Sequence, residues 1–329
     1  MTDRKTQLKE IFEDTIQFMR EEPALRAAVA YGRVNTRFYD EEDYPAFPEE
    51  LEEKLRKPSR AELRRAKKRG IPAETEETAP EASVPAASPA LKRGNRAGEV
   101  RVTKERTFAA AMKLHGEFPG KRICVLNFAS AIRPGGGVKY GSGAQEESLC
   151  RCSTLYPTLD RRWLWQCFYD VNRVMKDVRH TDACIYSPKV LICKTDESLP
   201  KRMAPEDFVE VDVLSCAAPN LRNEPNNGMN PETGKAVRME PEELYQLHLQ
   251  RAKHILHVAA ANEAEILILG AFGCGAFMND PHYVAAAYRD ALEEYQHCFD
   301  VVEFAIYARS SETENYRAFE EKLLMYTEK

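Results

Sequence analysis

RICVLNFASAIRPGGGVKYGSGAQEESLC, residues 122–150, decides how the rest of the chain is read. Its first nine residues form a near-continuous apolar run, the pattern of a strand covered on both faces. The run breaks into a turn carrying three consecutive glycines, Gly135, Gly136 and Gly137. Such residues take a positive φ freely and let the backbone approach a ligand with no Cβ in the way. After seven intervening residues come Gln145, Glu146 and Glu147, then Leu149, Cys152 and Leu155 at helix-like spacing. Both glutamates therefore fall near the first turn of a helix, where the dipole favours a carboxylate by about 0.3–1 kcal/mol. Taken alone, the stretch reads equally well as a corner followed by an acidic helix start.

Working outward, four more runs read as strands: ACIYSPKVLIC (183–193), FVEVDVLSCAA (208–218), AEILILGAF (264–272) and VVEFAIYA (301–308). Helix patterns separate them, at 108–118, after Gln145, at 241–263 and at 280–296, with a last helix after Ser311. Strands alternating with helices imply an α/β fold, a mixed, mostly parallel sheet between helices. Ligands of such sheets bind in the crevice at the carboxyl ends of the strands.

One of those ends carries a second glycine turn. ILILGAFGCGAFMNDPHY (266–283) is a strand that breaks into Gly270, Gly273 and Gly275 and then enters a helix. Asp280 suits its N-cap and Pro281 its first position. Glycine-rich strand-to-helix turns present successive N–H groups to phosphate or diphosphate. The spacing is GxxGxG, neither the dinucleotide fingerprint GxGxxG nor a nucleoside-triphosphate loop ending in Lys-Ser/Thr. Two such turns converging on one crevice, with Phe272 and Phe277 for a base or ribose, point to a nucleotide-sugar diphosphate and acid chemistry on its sugar.

The bulk numbers agree. The chain has 329 residues, 43% hydrophobic and 30% charged, with a net charge of −5. That balance argues against a bulk tether for nucleic acid and leaves room for an anion held locally by backbone amides. No apolar run approaches the roughly 20 residues needed to span a bilayer. MTDRKTQLKEIFEDTIQFMR reads as an amphipathic helix rather than a secretory signal. Nine scattered cysteines suit free thiols in a reducing compartment, cytosol or nucleus. Three zones follow: a helical N-terminal extension over 1–70, a Pro/Ala/Glu/Ser-rich flexible linker or insert over 71–99, and a domain of alternating strands and helices over 100–329.

With both loops on the page, the sequence resembles the microbial-type branch of the poly(ADP-ribose) glycohydrolases, whose core is a macrodomain. The likeness is carried by GGG, seven residues and QEE, within LNFAS…RPGGG…AQEESLCRCSTLYP, together with LGAFGCGAFMNDP. It implies a macrodomain-like three-layer fold and hydrolysis of ribose–ribose bonds in poly(ADP-ribose), releasing ADP-ribose without a cofactor or metal. It implies Glu147 as catalytic acid/base and Glu146 as holder of ribose hydroxyls. Gly135, Gly136 and Gly137 would line the reacting ribose and diphosphate, with Gln145 nearby. Gly273, Cys274, Gly275 and Ala276 would form the diphosphate loop, and Phe277 would press on the distal ribose. Ser130, a further substrate-side position, stands where ordinary macrodomains usually carry asparagine. The partners expected are poly(ADP-ribose) and ADP-ribosylated proteins, with no membrane or direct nucleic-acid contact and a monomeric chain. Two other readings share the fold: a reader that binds ADP-ribose without turnover, and a hydrolase of mono-ADP-ribosyl-protein bonds.

Rival features are weaker. His254 and His257 lie i, i+3 near His248 with no acidic or Cys ligand in pattern, so packed or surface histidines are expected. Cys274 has only His282 nearby as a base, which favours a small residue beside the diphosphate over a nucleophile. The basic run at 60–70 reads as a solvated helix face, with contact to a polyanion or a nuclear signal as the alternatives. Trp163 and Trp165 read as packing residues, with a peripheral ligand contact as the alternative.

Overall fold

The computed structural model describes residues 3–47, 98–226, 234–307 and 314–327. Two helices, α1 (Arg4–Glu21) and α2 (Pro23–Asn35), lead into a short strand, β1 (Arg37–Tyr39). After β2 (Glu99–Thr103) come α3 (Thr107–Glu117), β3 (Ile123–Phe128) and α4 (Gln145–Cys152). Short helical turns fill 156–175 before β4 (Cys184–Ile192) and β5 (Val209–Cys216). The chain ends with α5 (Pro241–Ala261), β6 (Ile266–Leu269), α6 (Pro281–Tyr295), β7 (Val301–Ala305) and α7 (Glu314–Thr327).

The strands form one sheet in the order β1-β4-β5-β3-β6-β7-β2. β5, β3, β6, β7 and β2 run parallel, whereas β4 is antiparallel to both of its neighbours. Alternation along the strands splits the core in two. Cys124, Leu126, Leu267, Leu269, Val302 and Phe304 face one cluster, shared with α5, α6 and α7. Ile123, Val125, Ile266, Ile268 and Val301 face the other, shared with α1, α3 and α4. The result is the three-layer α/β arrangement expected from the doubly apolar strands.

β1 and β2 are additions to the strands read from sequence. The N-terminal segment is not helical throughout its described part: β1 pairs with β4 through Arg37↔Tyr186 and Tyr39↔Cys184. The 71–99 segment lies outside the described residues up to Ala97, and Glu99 already opens β2. The basic run at 60–70 also lies outside them. No helix among the described residues is long and apolar enough to cross a membrane.

Candidate active site

The crevice opens where β3 and β6 part. Their pairing runs from Ile123↔Ile266 to Val125↔Ile268 and goes no further. Ala129 N–H donates to Cys216 O of β5, so residues 127 and 129 address β5 while 126 and 128 address the β6 side. The Gln145 amide takes the place of the missing strand. Phe128 N–H donates to its Oε1 (2.8 Å), and its Nε2 donates to Leu126 O (2.7 Å). Gln145, read from sequence as a neighbour of the ligand, thus spends its amide wedging the start of α4 against the end of β3.

This wedge orients the two glutamates. In a helix, residues 145, 148 and 149 share a side, and 146 and 147 turn away from it. Gln145, Ser148 and Leu149 line a cavity of about 720 Å³. Glu146 and Glu147 are 2% and 7% exposed and lie beneath the triple-glycine turn. Neither they nor Gly135, Gly136 and Gly137, all read from sequence as substrate-side, are among the residues that line that cavity. Glu146 Oε1 accepts from Gly135 N (3.2 Å) and Asn127 Nδ2 (3.4 Å), and its Oε2 accepts from Ser130 N (2.7 Å). Glu147 Oε1 accepts from Gly137 N (2.8 Å). Glu147 Oε2 is buried with no partner among the described residues. Gly136, at φ +53°, closes over the pair so tightly that a Cβ would stand 2.6 Å from Glu147 Oε1. Burial, and then the neighbouring Glu147, push the Glu146 carboxyl up to about 8, against the pull of its three donors.

The opposite wall is the second glycine turn: Gly273, Gly275, Ala276 and Phe277 line the same cavity. The N–H groups of Gly275, Ala276 and Phe277 have no hydrogen-bond acceptor among the described residues, which leaves them available to an anion. Gly273 has φ +78°, and a Cβ there would meet Asn279 Nδ2 at 2.7 Å. Asn279, 2% exposed, anchors the turn. Its Nδ2 donates to Pro219 O (2.7 Å) and Gly273 O (3.0 Å), and its Oδ1 sits 2.9 Å from His248 Nε2. Asp280 caps α6 by accepting from His282 N, with Pro281 first in the helix. Cys274 is not among the cavity-lining residues, and burial raises its thiol, which removes it as a nucleophile.

Several site groups had no sequence reading. Arg4 and Leu8 of α1 reach the cavity, as do Arg106 and Arg151. Arg151, 2% exposed, donates to Ser142 O (2.6 Å) and so braces the loop between the glycines and α4. Asp196 accepts from Phe108 N (3.0 Å) and Ala109 N (3.3 Å) at the start of α3, 3.6 Å from Arg106. Ser130 contributes its N–H to Glu146, while its Oγ accepts from Ile132 N at 3.4 Å. The histidines weighed as ligands are packed: His254 between Asp182 O and Asp43 O, His257 against Pro45 O. Among the described residues, no group of His, Cys, Asp and Glu could hold a metal ion.

A parallel-sheet crevice lined by the second glycine turn and by one side of α4, with paired carboxylates held beneath the triple-glycine turn next to it, defines an α/β domain with room for an anionic ligand. The comparisons give that class its family. The profile described as the catalytic domain of microbial-type PARG matches residues 13–195. The chain belongs to the microbial-type PARG family. Among solved structures, it resembles poly(ADP-ribose) glycohydrolase from Thermomonospora curvata, at TM-score 0.69 and 28% identity over 96% of this chain and 98% of that one. The same enzyme bound to the inhibitor ADP-HPD aligns at TM-score 0.67 and 27% identity, over the same shares. Poly(ADP-ribose) glycohydrolase from Deinococcus radiodurans in complex with ADP-ribose aligns at TM-score 0.65 and 33% identity, over 91% of this chain and 98% of that one. The comparison with curated proteins returned no match.

Proposed function

We propose that the chain is a poly(ADP-ribose) glycohydrolase that cuts ribose–ribose O-glycosidic bonds and releases ADP-ribose, with Glu147 as acid/base. Membership of the family and the likeness to glycohydrolases bound to ADP-ribose and ADP-HPD support the reaction and its ligand. The observation that carries the role of Glu147 is its unengaged Oε2. The other three carboxylate oxygens of the pair already accept hydrogen bonds from the glycine turn, Ser130 and Asn127. Only this fourth oxygen is free to pass a proton, so Glu146 acts as the holder of the turn and of substrate hydroxyls.

The reaction follows from those assignments. As the anomeric C–O bond breaks, the Glu147 carboxyl gives its proton to the departing ribose oxygen, which leaves as a hydroxyl. Positive charge grows on the reacting sugar, and the adjoining diphosphate stabilises it electrostatically. The diphosphate rests on the amides of Gly275, Ala276 and Phe277, with Gly273 and Cys274 completing the loop. Phe277 covers the distal ribose, and Gly135, Gly136 and Gly137 receive the reacting one. Water then adds to the anomeric carbon and returns its proton to the Glu147 carboxylate. Gln145 and Ser130 take part by fixing the frame. Two carboxylates side by side on a helix do not straddle a bond, so the usual two-residue glycosidase geometry is replaced by one acid/base and one holder.

The catalytic domain takes in 100–329, with the N-terminal extension supplying Arg4 and Leu8 to the cavity wall. The test is incubation with poly(ADP-ribose) and separation of the products. Accumulation of ADP-ribose is expected. Binding of ADP-ribose with no release from polymer would make the chain a reader instead, and release from mono-modified protein alone would make it the other hydrolase.

A further inference from the structure

Outside the cavity, a second depression of about 390 Å³ is lined by Arg33, Asp160, Arg161, Arg162, Trp163 and Gln166. Arg33 comes from the last turn of α2, and the others from the short helical turns after α4. The two segments are locked together, since a Cβ on Gly32 would stand 2.7 Å from Thr158 Cγ2. Trp163 is 37% exposed, so part of its indole faces the hollow. Arg33, Arg161 and Arg162 form no ion pair with a carboxylate among the described residues. Asp160, the one acid in the group, is already engaged. It accepts from Tyr156 Oη (2.6 Å) and Trp165 Nε1 (3.1 Å), and lies 3.9 Å from Lys139 Nζ. Three guanidinium groups with no carboxylate partner among the described residues and a partly exposed indole therefore share one hollow on a chain whose net charge is −5.

Side-chain contacts link the hollow to the triple-glycine turn. Lys139, two residues past Gly137, stands over the Tyr156 ring at 5.1 Å, and Tyr156 is bonded to Asp160 at the edge of the hollow. The Tyr156 ring itself is buried, so the groups this path offers to a ligand are the Lys139 ammonium and then the arginine–tryptophan group. Interleaved cations and aromatic faces are how proteins follow a single-stranded polyanion that carries bases. Guanidinium groups pair with phosphate oxygens in a bidentate way, and an indole face accepts a purine.

We propose that this hollow is an accessory polymer site, with Trp163 stacking an adenine and Arg33, Arg161 and Arg162 holding the pyrophosphate of a unit beyond the bond being cut. The site rests on the glycohydrolase reading for the identity of its ligand. It explains why two tryptophans, one of them exposed, stand in so basic a segment. It also gives long polymer an advantage that a two-unit substrate, too short to span the wall, does not share.

The test compares wild type, the triple variant R33A/R161A/R162A and W163A on long poly(ADP-ribose) and on a two-unit fragment. All four side chains are at the surface. For long polymer, KM should rise about five- to tenfold in either variant with kcat unchanged, and turnover of the fragment should not move. The advantage of long polymer should shrink between about 50 and 200 mM salt in the wild type and be missing from the triple variant. Unchanged KM on long polymer, or an equal change on both substrates, would overturn the proposal. A wild type that turns over neither substrate would count against the glycohydrolase reading. Anisotropy of end-labelled polymer then decides the accessory site by itself, with weaker binding by both variants supporting it and equal binding ending it.

Discussion

Replacing Gly136 by alanine tests the clamp between the glycine turn and the carboxylates. The residue sits at φ +53°, and a left-handed backbone costs a residue with a Cβ about 1–2 kcal/mol. The new Cβ would also lie 2.6 Å from Glu147 Oε1 and 3.2 Å from Glu146 Oε2. To restore ordinary contact at 3.4 Å, the Glu147 carboxylate must retreat about 0.8 Å. That movement breaks or stretches its 2.8 Å bond from Gly137 N, and a hydrogen bond to a charged group is worth about 1.5–3 kcal/mol. Together the two terms predict a loss of about 2.5–5 kcal/mol in urea unfolding. A misplacement near 1 Å at the reacting group predicts a roughly hundredfold fall in kcat on polymer. Gly275→Ala is the control. Nothing lies within 4 Å of its Cβ, so unfolding should shift by less than about 0.5 kcal/mol, while a methyl group in the cavity weakens ADP-ribose binding. Wild-type unfolding and turnover by Gly136→Ala would refute the clamp.

Two further predictions concern the groups around it. Glu146 titrates near 8 in the folded chain and near 4.3 when unfolded. Between those values the unfolded chain gives up a proton that the native state keeps, so this group's stabilisation is complete below about pH 4.3 and is lost as pH rises to about 8. Urea unfolding of wild type minus Glu146→Gln should therefore fall between about pH 5 and pH 8.5, and a difference independent of pH would contradict the burial of this carboxyl. Asn279→Ala removes three donor bonds, to Pro219 O, Gly273 O and Phe277 O, and leaves the His248 N–H buried without its acceptor. It should cost about 2–4 kcal/mol in unfolding and weaken ADP-ribose binding about tenfold, as read by calorimetry. Unchanged binding would mean that the second glycine turn does not depend on that anchor.

The central strands were legible because both of their faces are buried, which leaves an apolar signature such as ILIL at 266–269. β1 was not, since three residues are too few for any period and it is the pairing with β4 that makes them a strand. β2, EVRVT at an edge, carries charge on alternate residues and reads as a polar connection. Glycines announced the two loops because few other residues take their conformations. The polar residues that anchor those loops were silent. Asn127 sits inside an apolar run, a lone signal that could have been followed, yet its partners Glu146 and Ser215 lie 19 and 88 residues away. Arg151 lies in plain view on a helix, and its buried bond to Ser142 O depends on how that loop is folded. Ser130 acts through its backbone, and no side-chain pattern can encode that contribution.

Glu147→Gln is the most direct test, because it keeps the acceptor for Gly137 N and the shape of the side chain while removing the proton that the free oxygen passes. Release of ADP-ribose from polymer should fall by about a hundred- to ten-thousandfold, with the affinity for ADP-ribose within a fewfold of wild type. Turnover by Glu147→Gln within about threefold of wild type would contradict the account.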